Sequence, residues 1–346
     1  MKKNILDKVA IAILNWNGQK LLEQFLPSVV AHSAAEGVRI YIIDNGSTDN
    51  SLDYLKVQFP EVEVIALKKN WGFPAGYNKG LEQIESEYYL ILNNDVEVSP
   101  GWLNPLIELM DSDDTIAAIQ PKILSYQQRD EFEYAGAAGG FIDKYGFPFC
   151  RGRLLNVFEK DLGQYNFTDE IFWATGACML VRSSLYKKYG GMDEAFFAHM
   201  EEIDLCWRLK NAGYKIMYNG NSSVYHLGGG TLNRMNPFKT YLNFRNNLYL
   251  LYKNLPKGKV HRILFARYFL DMIASAKFLF GLEFGSYWAV IRAHYSFWTT
   301  RRQFKEKRKY NLSVTTKVNH YEMYDGLIVY DFFVRRKKNF TQLRPK

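Results

Sequence analysis

Short apolar runs alternate with longer amphipathic stretches through the first 120 residues of the chain. Residues 9–14, 38–43, 62–67 and 88–92 are β-branched or aromatic runs bounded by turn residues, and they predict strands. Residues 19–32, 49–58 and 75–84 carry the spacing of helices between them. Strands apolar on both faces and separated by helices predict an α/β fold, a mostly parallel central sheet covered by helices on both sides. Such sheets bind ligands beyond the carboxyl ends of their strands. Four polar or glycine-containing segments fall there: Asn15-Trp16-Asn17, Asp44-Asn45-Gly46-Ser47, Asn70-Trp71-Gly72-Phe73 and Asn93-Asn94-Asp95.

Past residue 120 the periodicity fades. Residues 121–170 are rich in glycine and aromatics and predict loops with short strands. A strand over 177–181, a short helix to Tyr189 and a break at Gly190-Gly191 follow. A helix over about 201–212 ends at Gly213, placed where a C′ glycine belongs. Helical patterns then run from 237 to about 254 and from 261 to about 309. No internal repeat is present. The expected division is a domain over 1–256 and a basic, aromatic-rich helical region over 257–346.

Composition narrows the class. The chain has 346 residues, 47% hydrophobic and 23% charged, the usage of a globular protein and not of a disordered or low-complexity one. Cys150, Cys178 and Cys206 are too few and too scattered for a disulfide framework, so a reduced, cytoplasmic setting is expected. Charge is unevenly spread. Residues 253–346 hold 20 Lys and Arg against 6 Asp and Glu, whereas residues 1–252 hold 24 against 30. Such a tail suits an anionic partner, a membrane surface or a nucleic acid, or is simply solvated. The apolar run after Lys2-Lys3 is too short for a signal peptide. The most apolar stretch, 263–298, is broken by Arg267, Asp271, Lys277, Glu283 and Arg292, so no membrane-spanning helix is expected. Followed by Arg301-Arg302, Lys305 and Lys307-Arg308-Lys309, it fits a segment lying in the interface of an anionic leaflet, with a helical pair packed on the protein as the alternative.

The candidate chemistry is carried by acids and a histidine. Asp44 ends a strand and suits a ligand's N–H groups, although a turn would use the same residues. Asp95 ends another strand, where a carboxylate suits Mg²⁺ or Mn²⁺; it would equally cap the next helix. Glu201, Glu202 and Asp204 open a helix, where acids answer the helix dipole, yet a rigidly held carboxylate there also serves as a general base. His226 precedes Gly228-Gly229-Gly230, a pairing that suits a structural histidine or a site beside a closing lid over about 228–238. No GxGxxG, GxxxxGK[ST], GxSxG or HExxH occurs, which removes dinucleotide dehydrogenases, P-loop NTPases, α/β-hydrolases and zincins.

Taken in order, these segments resemble the inverting, nucleotide-sugar-dependent glycosyltransferases of family 2, with the GT-A fold, and within them rhamnosyltransferase-like enzymes of bacterial surface-polysaccharide assembly. The likeness spans about 9–256 and rests on LNWN at 14–17, DNGSTDNS at 44–51, NWGFPAGYNKG at 70–80, LNNDVEV at 92–98, ATGACMLVR at 174–182, GGMDEAFF at 190–197, EEIDLCWRLKNAGY at 201–214 and VYHLGGG at 224–230. The resemblance implies that Asp44 binds the pyrimidine of a UDP- or dTDP-sugar, dTDP-rhamnose among the candidates, with Asn15 and Asn17 nearby. Asn45, Gly72, Asn78, Asn93, Asn94 and Gly176 complete the implied donor site. Asn93 and Asp95 stand at the outer positions of the family's Asp-x-Asp motif, so Asp95 is the implied ligand of Mn²⁺ or Mg²⁺, with His226 beside it. Glu202 matches the catalytic base. The QxxRW motif of processive members is absent, YLNFRN at 241–246 being no match, which argues for transfer of a single sugar. The implied acceptor is a saccharide or a lipid-linked one, met in the cytoplasm or at the inner face of the plasma membrane. Two other classes compete: a sugar-nucleotide nucleotidyltransferase, which would need a Gly- and Arg-rich loop after the first strand, and a nucleic-acid binder using the basic tail. Because the tail's aromatics sit in apolar helical runs, no nucleic acid is expected.

Overall fold

A computed structural model describes residues 6–228 and 236–343. The first half alternates as its pattern requires: β1 (Asp7–Asn15), α1 (Gln19–Ser33), β2 (Val38–Asp44), α2 (Ser51–Gln58), β3 (Glu63–Ala66), α3 (Phe73–Leu81), β4 (Ser86–Asn93), β5 (Val96–Val98), α4 (Asn104–Ser112) and β6 (Ile116–Ser125). Short strands follow, β7 (Gly140–Asp143), β8 (Pro148–Cys150), β9 (Arg153–Leu154), β10 (Val157–Phe158) and β11 (Thr168–Ile171). Then come β12 (Cys178–Arg182), α5 (Ser183–Lys188), α6 (Glu201–Asn211), β13 (Lys215–His226), α7 (Pro237–Asn254), α8 (Lys257–Phe280), α9 (Phe284–Thr300), α10 (Lys305–Ser313), β14 (Met323–Tyr324) and α11 (Ile328–Phe333).

The main sheet runs β11-β13-β6-β12-β4-β1-β2-β3, with β5 added to β13. Its β4-β1-β2-β3 half is parallel, as expected. The other half is mixed, because β12 lies antiparallel between β4 and β6 while β13 runs parallel to β6. A fully buried apolar run carries no mark of direction, so the pattern that predicts the strand could not show its reversal. Two apolar clusters cover the two faces. Ile11, Ile13, Leu22, Leu90 and Leu106 belong to one; Ala10, Ala12, Tyr77, Tyr89 and Leu205 belong to the other.

Within residues 121–170, those at 140–158 supply four strands of a second sheet, β10-β9-β8-β7-β14, whose last strand comes from the C-terminal region, while β11 returns to the main sheet. Residue 256 marks the α7–α8 junction, and beyond it Val260, Ile263, Leu264, Phe297, Phe304 and Phe340 enter the same apolar cluster as the sheet. The long helical pattern after residue 261 is interrupted at Gly281, giving the antiparallel pair α8 and α9. No helix among the described residues is long and apolar enough to cross a membrane.

Candidate active site

The carboxyl ends of β1, β2 and β4 stand side by side, with Asn15 opposite Asp44 in one register and Leu14 opposite Asn93 in the next. Asp44 is buried. Its Oδ2 accepts the Ser47 N–H at 2.9 Å, and its Oδ1 lies 3.3 Å from Asn15 Nδ2. Asn15 turns its carbonyl the other way, accepting Asn94 Nδ2 at 3.0 Å. Asn17, at φ 49°, shapes the neighbouring loop by accepting the N–H groups of Thr48 at 2.7 Å and Asp49 at 3.3 Å. Asn45 ties down the Asn-Trp-Gly segment, donating to Asn70 Oδ1 and Gly72 O at 3.1 Å and accepting Trp71 N–H at 3.0 Å.

The third edge of the site comes from β13. His226 pairs with Val96 of β5, so its ring lies over the turn that holds Asp95. The Leu227 N–H donates to Asp95 O at 3.0 Å and locks the approach. His226 Nε2 lies 3.0 Å from Asp95 Oδ1 and 3.4 Å from Asn93 Nδ2. On the other side, Nδ1 is 3.1 Å from Oε2 of Glu133, a residue without a motif that also accepts the Ala135 N–H. Burial works against a charged imidazole, but the two flanking carboxylates outweigh it and raise the pKa of His226 to about 10. The same pairing holds Asp95 and Glu133 below the usual carboxylate range in spite of their burial. Gly228 closes this cluster at φ +66°, and a Cβ there would stand 2.5 Å from Glu133 Oε1, so a side chain would strain the backbone and push Glu133 off His226.

Asn93 donates its N–H to Ala177 O at 3.0 Å, which brings the start of β12 to the rim. Gly176, next in line, faces Phe73 and Glu202; a Cβ on it would lie 3.3 Å from the Phe73 ring and 3.9 Å from Glu202 Cβ. Glu202 is half-buried, with Oε2 shielded from solvent and without a hydrogen-bond partner. Burial pushes its pKa up to about 7. Contacts link Asp44 to Asn15 and Asn94, and, one residue along the chain, Asp95 to His226, Asn93 and Ala177, whose neighbour Gly176 faces Glu202.

Three of the candidates stand apart from these contacts. Asn78 is absorbed by the Gly190-Gly191 break, donating to Met192 O at 2.8 Å and accepting Tyr186 Oη at 2.7 Å. Asp204 is fully buried and saturated by Arg208 at 2.9 Å, Lys253 at 2.7 Å and Asn254 at 2.9 Å, which hold it ionised. Glu201 is buried with Oε2 unpartnered, and burial, reinforced by Glu202, raises its pKa well above the carboxylate range. A carboxyl whose folded pKa exceeds its unfolded one costs stability as pH rises past the unfolded value. Glu201→Gln is therefore expected to raise the melting midpoint, by more at pH 8 than at pH 5; a gain that is absent or larger at pH 5 would contradict a neutral Glu201. The lid expected over about 228–238 falls largely on 229–235, outside the described residues.

Comparison with known proteins bears on the family. The chain is 24% identical over 238 residues to the N-acetylglucosaminyl-diphospho-decaprenol L-rhamnosyltransferase of Mycobacterium tuberculosis, covering 64% of this chain and 76% of that protein. It is 23% identical over 252 residues to the low-salt glycan biosynthesis hexosyltransferase Agl10 of Haloferax volcanii, covering 71% and 76%. In fold it is similar to GalNAc-T7, solved with UDP, GalNAc and Mn²⁺, at a TM-score of 0.55 and 16% identity, covering 72% of this chain and 48% of that one. The mixed sheet flanked by helices is the GT-A arrangement. The model of glycosyl transferase family 2 matches residues 10–190, the segment that builds the rim from Asn15 to Gly176, and the chain belongs to that family of glycosyltransferases.

Proposed function

We propose that the protein is an inverting glycosyltransferase that moves one sugar from a UDP- or dTDP-sugar to a saccharide or lipid-linked acceptor in cell-surface polysaccharide synthesis. The observation that carries this reading is the gathering of Asp44, Asn15, Asp95, His226 and Asn93 on the carboxyl edge of the sheet, with Gly176 bringing Glu202 to its end. Inversion is a single displacement at the anomeric carbon. The acceptor oxygen bonds to that carbon as the bond to the diphosphate breaks, and the acceptor proton must go to a base. Glu202, with an unpartnered oxygen and a pKa near 7, is suited to take it. Asp44 and Asn15 offer the polar edge for a pyrimidine, and Gly176, lacking a side chain, stands between the Phe73 ring and Glu202.

A divalent cation, Mn²⁺ or Mg²⁺, fits one part of this edge. Among the described residues no three histidine, cysteine or acidic side chains gather as a self-sufficient metal cage. Asp95 Oδ1 is nevertheless buried, without an aligned hydrogen bond, and faces His226 Nε2. One carboxylate and one imidazole suit an ion that draws its other ligands from a substrate diphosphate. Asp95 would hold it, with His226 joining once the ion displaces the Nε2 proton that Asp95 otherwise keeps there, and Glu133 on Nδ1 would keep the ring oriented. The ion would supply neutralisation of the charge that grows on the departing diphosphate. A thermal-shift panel tests the reading. UDP or dTDP is expected to raise the melting midpoint, more with Mn²⁺ than without, and Asp95→Asn to abolish the Mn²⁺-dependent part. No shift with either nucleotide, or an unchanged Mn²⁺ increment in Asp95→Asn, would contradict it. The mycobacterial relative is named for rhamnosyl transfer to N-acetylglucosaminyl-diphospho-decaprenol, so dTDP-rhamnose, already among the expected donors, and an N-acetylglucosaminyl diphosphate on a short isoprenol are the first pair to assay.

The face of α8 and α9 turned away from the sheet supports contact with an anionic bilayer. Phe265, Phe269, Ile273, Phe280, Leu282 and Trp288 are all exposed there. Arg262, Lys277, Arg292 and Arg302 stand among or beside them, against a single exposed acid, Glu283, in the turn between the two helices. An apolar face interleaved with cations suits phospholipid headgroups over acyl chains. Co-sedimentation is expected with phosphatidylglycerol vesicles and not with phosphatidylcholine alone, weakened by salt and lost in Phe269→Glu/Ile273→Glu. A salt-insensitive dimer that those substitutions split would instead assign the face to a second copy.

A further inference from the structure

The helix that presents Glu202 begins from a strained turn. Phe197, His199 and Met200 have φ of 67°, 69° and 75°, and none of them is glycine. Left-handed backbone at such residues costs on the order of 1 kcal/mol each and persists only where the surroundings enforce it. The turn is also a wall of the site. The Phe197 carbonyl accepts the Phe73 N–H at 3.3 Å, and its ring packs on Gly72.

One side chain grips this turn from outside. Asn246, buried in the middle of α7, places Nδ2 at 2.9 Å from Phe196 O, 2.8 Å from Ala198 O and 2.8 Å from His199 O. Its own carbonyl is held by Arg245, whose Nε and Nη2 donate at 3.0 and 2.8 Å, and the same Nη2 reaches Phe196 O at 3.1 Å. Two helical turns further on, Lys253 ties Asp193, just before the turn, to Asp204, just after it. Asn246 spends its buried amide on the turn, and Arg245 braces that amide and Phe196 O.

We propose that Asn246, oriented by Arg245, is a positioning residue that enforces the left-handed turn at 197–200 and thereby aims Glu202 at the acceptor. The proposal rests on Glu202 being the base. Asn246→Ala leaves the Ala198 and His199 carbonyls without their donor, Phe196 O keeping Arg245, and lets the turn relax toward ordinary φ values. Hydrogen exchange read by mass spectrometry should then rise about ten-fold at the amides of 198–204, with β1 and β4 unchanged. With dTDP-rhamnose and the short-chain acceptor, kcat should fall about 30- to 100-fold while the donor KM stays within about two-fold. Met200→Gly, which adopts φ 75° freely, should restore about ten-fold of that loss in the double variant, a rescue that a purely structural role would not give.

Unchanged exchange at 198–204, or faster exchange with full kcat, would overturn the proposal, as would a loss confined to KM or to the melting midpoint. Should Asn246→Ala fail to fold, Arg245→Lys keeps the charge, loses the fork on the amide and is read in the same way, with an expected kcat loss of about five-fold. The parent reading fails separately: if Glu202→Gln kept its full rate, the base would be lost while the exchange result still reported on the turn.

Discussion

Glu202→Gln is expected to lower sugar transfer by about 10²- to 10⁴-fold while leaving nucleotide binding intact, because it removes a proton acceptor without altering shape. The side chain is suited to that role by where α6 begins. Its Cβ lies beside Gly176 and one carboxyl oxygen is shielded and unpartnered, so desolvation raises the pKa to about 7 although backbone N–H groups at the start of α6 temper the rise. A base with that pKa works only when deprotonated. In the wild type kcat/KM should therefore level off above pH 7 and fall about ten-fold per unit below it. Glu202→Gln should abolish that acid limb along with most of the rate. A variant that kept the limb would place the titrating base elsewhere.

Lys253→Met is expected to cost about 3 kcal/mol of stability, read as a lowered denaturation midpoint with an unchanged denaturant slope. Lys253 is almost wholly buried, 2.6 Å from Asp193 and 2.7 Å from Asp204, in the one place where α7 crosses both ends of the turn before α6. Removing a buried cation leaves its carboxylates uncompensated. The cost falls at the lower end for such pairs because Lys307 still reaches Asp193 at 2.7 Å and Arg208 still reaches Asp204 at 2.9 Å. The carboxylates, held below their ordinary range, contribute stability that is present above their unfolded pKa and is lost as pH falls through the folded one. The penalty of Lys253→Met should accordingly shrink in acid. A loss of less than about 1 kcal/mol at neutral pH would mean the network is not holding the turn.

The parallel half of the sheet was legible because its strands are apolar on both faces and its helices are not, so period and turn residues marked each boundary to within a few positions. Asp44, Asn93 and Asp95 could be placed at one rim because a parallel sheet puts all its carboxyl ends together. Glu133 could not, since it lies in a stretch with no period and meets His226 only through the fold of β6 and β13. Nor did α7 announce its role. Asn246, Asn247, Lys253 and Asn254 look like a solvated face, yet all four are buried, because their partners are carbonyls and carboxylates distant in sequence. A polar residue's burial depends on partners that spacing along one helix does not reveal. The polar side chains of Asn78 and Asp204 illustrate the converse: a motif position can be occupied by a residue whose hydrogen bonds serve the scaffold.

One donor nucleotide is expected along the edge from Asp44 to Glu202. A crystal structure with dTDP or UDP and Mn²⁺ tests it most directly, using anomalous scattering to place the ion. The expected result is the pyrimidine against Asp44 and Asn15, the Mn²⁺ signal bonded to Asp95, and open space beyond the diphosphate facing Glu202. Nucleotide bound away from Asp44, or Mn²⁺ on residues other than Asp95, would contradict it.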